Sequence, residues 1–309
     1  MPVDLGEALV ARAEVFELEE VGEFSAAFSG GLFGERRVSV RLSVRRIRGL
    51  GLLVQRLPQR AAEPLWWPEL AVRGLGGRLC RFHEGGGQWP LYCVSPAATR
   101  DGYCRLHARS WRALYERCAQ GDEAACEEAA PPEGEEFAVY ALDYGGPRLK
   151  VGLTQRWRLE WRVAEQPHTA AALVSTGRLA EMRALERALG RSRAASEGAG
   201  VKVEERLERA ARALSRADYG ALAARLASLL AELGLSGEYE ALTVLPGRLS
   251  PLDFAGEVSG PEALLGKRAR LVDYWAGRLA VEVDGLLLLV DKRSLLHTAL
   301  DAAIASPAP

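Results

Sequence analysis

Asparagine is absent from the 309 residues, isoleucine occurs only at Ile47 and Ile304, and lysine only at Lys150, Lys202, Lys267 and Lys292. Arginine therefore supplies 36 of the 40 basic residues. A GC-rich genome is enough to produce such a bias, so arginine abundance alone says little about a polyanionic partner. Long apolar runs are also missing. The most apolar run, from Gly285 to Val290, is far shorter than the ~20 residues a membrane-spanning helix needs. The start of the chain is acidic and carries no basic-then-apolar leader, which predicts a cytoplasmic protein. Five cysteines are too few to staple a chain of this length, and the cytoplasm disfavours disulfides. The fold is expected to rest on a hydrophobic core, for which the chain is long enough.

A strong net charge is lacking too: the balance is -1. That balance conceals a segregation along the chain. Residues 1–24 carry one arginine against seven acids, whereas residues 36–60 carry eight arginines and no acid. Residues 79–118 are net +3, residues 122–136 net -7, and residues 137–193 net +5. Such asymmetry is a reason to look for polyanion-binding modules separated by acidic spacers.

Residues 37–44 alternate strictly, with Val38, Val40, Leu42 and Val44 on one face, as a half-buried strand requires. An acidic stretch containing Pro131-Pro132 and Gly134 marks a linker. Past it come an apolar strand from Phe137 to Leu142, a turn, a second strand from Arg148 to Thr154, and helices near 157–163 and 179–189. Residues 203–235 favour helix, with Leu207, Ala210, Ala211 and Leu214 on one face. Strands return after residue 268, punctuated by Ala276-Gly277 and Asp284-Gly285, the latter a strong hairpin pair. The expectation is an α+β, multi-domain chain. Its segments are a β-rich 1–78, a zinc-binding module at 79–120, an acidic linker at 121–136, a sheet and helix domain at 137–195, a helical 196–236, and a hairpin-rich 237–309. The two outer segments are expected to meet in one small β domain.

All five cysteines lie between residues 80 and 126. Cys80, Cys93 and Cys104 are followed by His107, with two residues between it and the last cysteine, and a two-residue gap lets both side chains of a pair reach one ion. Gly85-Gly86-Gly87 and Asp101-Gly102 supply bends to bring the ligands round. His83 competes with Cys80 for the fourth position. Cys118 and Cys126 look less like ligands, with Cys118 expected to pack against the module from the following helix. The stretch from Trp89 to His107 resembles a widespread short zinc motif, with an aromatic-Cys-x-x-His end, that occurs in nucleic-acid-associated proteins. Structural zinc is the implied cofactor.

Ala138-Val139-Tyr140 and Lys150-Val151-Gly152 resemble the two motifs of the GIY-YIG nuclease superfamily. The chain also resembles a prokaryotic family that joins a cysteine-rich zinc segment to a GIY-YIG-like domain. There a Lys-Val/Ile-Gly-Ile/Leu-Thr strand is followed by an Arg, an acid-Gln pair and a later Glu. Lys150 to Thr154, Arg162, Glu165-Gln166 and Glu186 follow that order. The resemblance implies a GIY-YIG-like central domain and a metal-dependent endonuclease acting on DNA or RNA, with a catalytically degenerate nucleic-acid-binding protein using the same basic groove as the alternative. It further implies that Tyr140 orients the nucleophile, Arg162 stabilises phosphate charge, and Glu186 holds a divalent cation, magnesium or manganese. Lys150 stands where the superfamily has a tyrosine; Tyr144 in the turn is a substitute phenol. Arg148, Arg156, Arg158 and Arg105 are candidate nucleic-acid contacts. No membrane partner is expected.

Overall fold

The computed structural model describes residues 8–30, 36–84, 90–196 and 201–305. Its strands are β1 (Leu9–Gly30), β2 (Arg36–Arg56), β3 (Ala62–Trp66), β4 (Glu69–Arg78), β5 (His83–Glu84), β6 (Leu91–Tyr92), β7 (Phe137–Asp143), β8 (Leu149–Gln155), β9 (Ala170–Gly177), β10 (Ala195–Ser196), β11 (Gly237–Leu245), β12 (Val258–Ser259), β13 (Lys267–Trp275), β14 (Arg278–Val283), β15 (Leu286–Asp291) and β16 (Thr298–Ala305). The helices are α1 (Trp111–Ala119), α2 (Glu123–Glu128), α3 (Leu159–Ala164), α4 (Leu179–Gly190), α5 (Val203–Leu214), α6 (Tyr219–Glu232) and α7 (Lys292–Leu295). The chain is thus α+β. No helix among the described residues is long and apolar enough to cross a membrane.

The chain divides into two compact units. One comprises Met1–Glu17, Arg48–Ala130 and Glu257–Pro309; the other comprises Leu18–Ile47 and Pro131–Gly256. In the first unit, β4 lies between β13 and β16, antiparallel to both. β16 continues the sheet to the start of β1 through Leu9↔Leu300. N-terminal and C-terminal strands therefore do share a sheet. β13, β14 and β15 form a meander. Its second turn carries positive φ at both Asp284 (51°) and Gly285 (77°), the geometry of a type I′ hairpin turn and the reason Asp-Gly suits it. Where β1 and β2 lie in this unit, Arg48 Nη2 pairs with Glu17 Oε2 at 3.0 Å.

The second unit has the strand order β10-β8-β7-β9-β11-β2. β7 is buried at every position, which accounts for its unbroken apolar run. β2 keeps the expected alternation: Val38, Val40, Leu42 and Val44 are all buried. It pairs in parallel with β11 from Val38↔Gly237 to Arg46↔Leu245. Arg41 pairs with Glu23 of β1 and Arg45 with Glu160 of α3. The basic run thus faces acids that are remote from it in sequence. α5 buries Leu207, Ala210, Ala211 and Leu214 as its periodicity requires. The β7–β8 turn is anchored by α6, whose Arg225 donates to Asp143 Oδ2 (2.8 Å) and to the Gly146 carbonyl.

Several boundaries differ from those expected. Residues 18–47 of the 1–78 segment belong to the second unit, because β2 takes β11 as its partner there. β11, placed by sequence in the C-terminal hairpin segment, also belongs to the second unit. The acidic stretch at 121–136 is not wholly a linker. It contains α2, which Asp122 caps by accepting from Ala125 N (3.1 Å). Cys118 and Cys126 form a disulfide joining α1 to α2, so Cys118 serves this clamp and Ala113 supplies α1's contact with the cysteine cluster. A third strand, β9, follows the first helix of the central domain; its alanine-rich start has no strand signature. The Gly85-Gly86-Gly87 bend and Trp89 lie outside the described residues.

Candidate functional site

The cysteine cluster is assembled by a short antiparallel ladder. Cys80 N donates to the Ser95 carbonyl (2.9 Å), Cys93 N donates to the Phe82 carbonyl (2.9 Å), and His83 pairs with Tyr92. This brings Cys80, in the segment before β5, beside Cys93, which directly follows β6. Cys104 and His107 follow the Asp101-Gly102 turn, and His107 N donates to the Cys104 carbonyl (3.1 Å). Ser110 then bonds the His107 carbonyl (2.8 Å) and caps α1.

The four ligand atoms of Cys80, Cys93, Cys104 and His107 all lie within 4.8 Å of one another. Cys104 Sγ is 3.3 Å from His107 Nδ1, Cys80 Sγ is 3.7 Å from it, and the Cys93 and Cys104 sulfurs are 4.0 Å apart. A tetrahedron with metal–sulfur bonds of about 2.3 Å and a metal–nitrogen bond of about 2.1 Å has edges of roughly 3.5–3.8 Å. The spacing therefore fits a tetrahedral metal ion, and the Cys3His set is compatible with a metal site. Cys80 takes the fourth position, while His83 packs against Tyr92 with ring centroids 5.2 Å apart. The His107 ring stacks on Phe82 at 3.9 Å. Burial lowers the His107 pKa, favouring the neutral ring that a metal ligand must be. Burial pushes the Cys80 thiol up to about 11. At Cys93 burial also raises the pKa, but hydrogen bonds from Ser95 and the neighbouring thiols outweigh it and the net shift is downward.

Behind the cluster stands Arg12 of β1, 2% exposed. Its guanidinium donates to Gln55 Oε1 (2.7 Å) and to the carbonyls of Cys80 (3.0 Å) and Cys93 (2.8 Å). It also lies 3.3 Å from His297 Nδ1 and 5.0 Å from the Tyr92 ring centroid. Sequence reasoning missed this residue: one arginine in an acidic strand carries no visible signal.

In the second unit, β7 and β8 pair with Tyr140 opposite Gly152 and Leu142 opposite Lys150. Because side chains alternate, Tyr140, Lys150 and Gly152 share one face. The buried Tyr140 ring lies over Gly152. Gln166, just past α3, joins the two side chains. Its Nε2 donates to Tyr140 Oη (2.7 Å) and to the Arg162 carbonyl (2.9 Å), while its Oε1 accepts from Lys150 Nζ. Glu165 accepts from Arg158 Nη2 (2.8 Å) and Arg162 Nη1 (2.9 Å). Tyr140, Lys150 and Arg162 are thus gathered around the Glu165-Gln166 pair.

Glu186 takes a different partner. It is buried on α4, the helix that packs on β7 and β8, and its carboxylate is bonded to Arg183 one turn earlier. Tyr144 is buried in the turn with its ring against Gly146. Arg148 and Arg156 are exposed, and Arg105 is exposed in the first unit. Between Arg156 and Arg158 stands Trp157, 50% exposed, which the motif comparison passed over. His168 is a buried support: its Nδ1 donates to the Gln166 carbonyl (2.8 Å) and its Nε2 accepts from Val244 N (3.0 Å). That arrangement needs the neutral ring, and burial lowers the pKa to about 4. His168 therefore fixes the loop that presents Gln166.

No protein-family model, curated protein or solved structure matches this chain.

Proposed function

We propose that this chain acts on nucleic acid. A GIY-YIG-like arrangement of β7, β8, α3 and α4 contacts the phosphate backbone, and Cys80, Cys93, Cys104 and His107 hold a structural zinc. The observation that carries the reading is the gathering of Tyr140, Lys150 and Arg162 around Glu165-Gln166. A lysine and two arginines at one strand–helix junction offer cationic donors to phosphate oxygens. Trp157 beside them offers an aromatic face on which a base stacks. The arginines of β2 add less: Arg41, Arg45 and Arg48 each pair with an acid of their own, whereas Arg158 and Arg162 share the single carboxylate of Glu165.

Phosphodiester cleavage is the second reading, favoured by the convergence of Tyr140, Lys150 and Arg162. By resemblance Glu186 would hold magnesium or manganese, an ion that would act as a Lewis acid on the phosphate. As placed, this carboxylate does not fit that role, because it is neutralised by Arg183. Binding without cleavage is therefore the form the geometry supports best.

The test is fluorescence anisotropy with single-stranded and duplex DNA and RNA over a salt series, beside cleavage assays in magnesium and manganese. Salt-sensitive binding without cleavage is the expected outcome. Cleavage that is lost in Tyr140→Phe and Glu186→Ala establishes the second reading instead. Absence of both binding and cleavage at low salt refutes the proposal.

A further inference from the structure

The guanidinium of Arg12 is buried among acceptors that are all formally neutral: one side-chain amide, two peptide carbonyls, an imidazole nitrogen and an aromatic face. The nearest carboxylate along its own strand, Glu14, is bonded instead to Lys292 and Tyr274. A buried cation is costly without an opposite charge nearby. Two of the carbonyls it binds belong to Cys80 and Cys93, both members of the Cys3His cluster. A divalent ion held by three thiolates and a neutral imidazole carries a formal charge of -1.

We infer that Arg12 is the buried counter-ion of an anionic, divalent metal centre at Cys80, Cys93, Cys104 and His107. The inference rests on the metal reading of that cluster and adds its charge state and the residue that balances it. Hydrogen bonds from Arg12 to the two ligand carbonyls orient both cysteines and place its positive charge beside the centre. The same side chain reaches Gln55 of β2 and the His297 ring just before β16. Metal binding is thereby coupled to the strands that close the first unit. Without metal the guanidinium is bonded only to neutral amide, carbonyl, imidazole and aromatic groups. With metal the two charges cancel. Arg12 acts as a positioning residue, touching the ligands and not the ion.

Zinc affinity of the full chain, read by competition with a chromogenic chelator, separates the possibilities. Arg12→Gln, which keeps polar contacts and removes the charge, is expected to bind zinc roughly 10–100-fold more weakly. Arg12→Lys, which keeps the charge, is expected to stay within a few-fold of the parent. Cobalt-loaded forms of all three should retain the visible absorption of a tetrahedral thiolate site. A purely structural role would lower the urea midpoints of metal-free and zinc-loaded protein alike, whereas the counter-ion role lowers that of the loaded form more. If the parent binds no zinc, the metal reading itself fails. If the parent binds zinc and Arg12→Gln matches its affinity, only the role of Arg12 fails. Should Arg12→Gln not fold, Arg12→Lys still decides the matter: zinc affinity lowered tenfold or more despite the retained charge overturns the inference.

Discussion

Tyr140 and Gly152 face each other across β7 and β8 so closely that a Cβ on Gly152 would fall 2.5 Å from the phenol oxygen. The glycine is therefore required by the ring above it. Gly152→Ala should displace Tyr140, break its bond with Gln166 and cost about 1–3 kcal/mol by overpacking. Urea denaturation of the second unit measures the loss, and a midpoint equal to that of the parent would show that the ring relaxes freely.

The two candidate fourth ligands give a discriminating pair of variants. Cys80→Ser should abolish near-stoichiometric zinc in the purified protein, whereas His83→Ala should retain it. Elemental analysis reads both. The reverse result would reassign the site. Chelation of the parent should lower the stability of the first unit, since a structural metal contributes folding free energy directly.

Charge at the α3 junction should be visible in the salt dependence of nucleic-acid binding. Arg156→Ala or Lys150→Met should weaken binding to all sequences alike and reduce the salt slope by about one. Arg48→Ala, whose side chain is paired with Glu17, should leave the slope nearly unchanged. Trp157→Ala should weaken single-strand binding more than duplex binding. Equal effects on both forms would remove stacking from the account.

Acid should destabilise the second unit through His168. The folded-state pKa is about 4, below the ordinary value of 6.5. As pH falls below 6.5, the unfolded chain takes up a proton that the folded chain refuses. Stability is then lost progressively until pH 4, at no more than about 1.4 kcal/mol per pH unit. His297, in the first unit, is shifted in the same direction by burial and by nearby arginines, so acid acts on that unit in the same sense. His168→Gln should therefore flatten, without abolishing, the fall in urea midpoint between pH 6.5 and 4. An unchanged profile would mean the ring is solvated and able to accept the proton.

Much of this architecture was legible residue by residue. Alternation from Val38 to Val44 identified a half-buried strand, Asp284-Gly285 fixed a hairpin, and Cys104-x-x-His107 marked two members of the Cys3His cluster. Each is a local rule, satisfied within a few residues. Long-range partnerships were not legible. The alanine-rich start of β9 becomes a strand because β7 and β11 offer it backbone partners on both sides. Arg12 is buried because five groups scattered from Gln55 to His297 converge on it. The disulfide between Cys118 and Cys126 depends on how α1 meets α2. In the candidate nucleic-acid site, the order of motif residues anticipated Tyr140, Lys150 and Arg162 converging. It did not show that Arg183 occupies Glu186.

The pairing of Val38 with Gly237 and of Leu9 with Leu300 bears on the order in which the chain is made. During synthesis the first two strands, which pair with each other, emerge well before β11 or β16 exists. Neither unit corresponds to a continuous piece of chain that a ribosome could release in finished form. For most of translation, β1 and β2 have each other as partners while the outer edges that later take β16 and β11 stay open, and the acids and arginines on their faces keep those edges soluble.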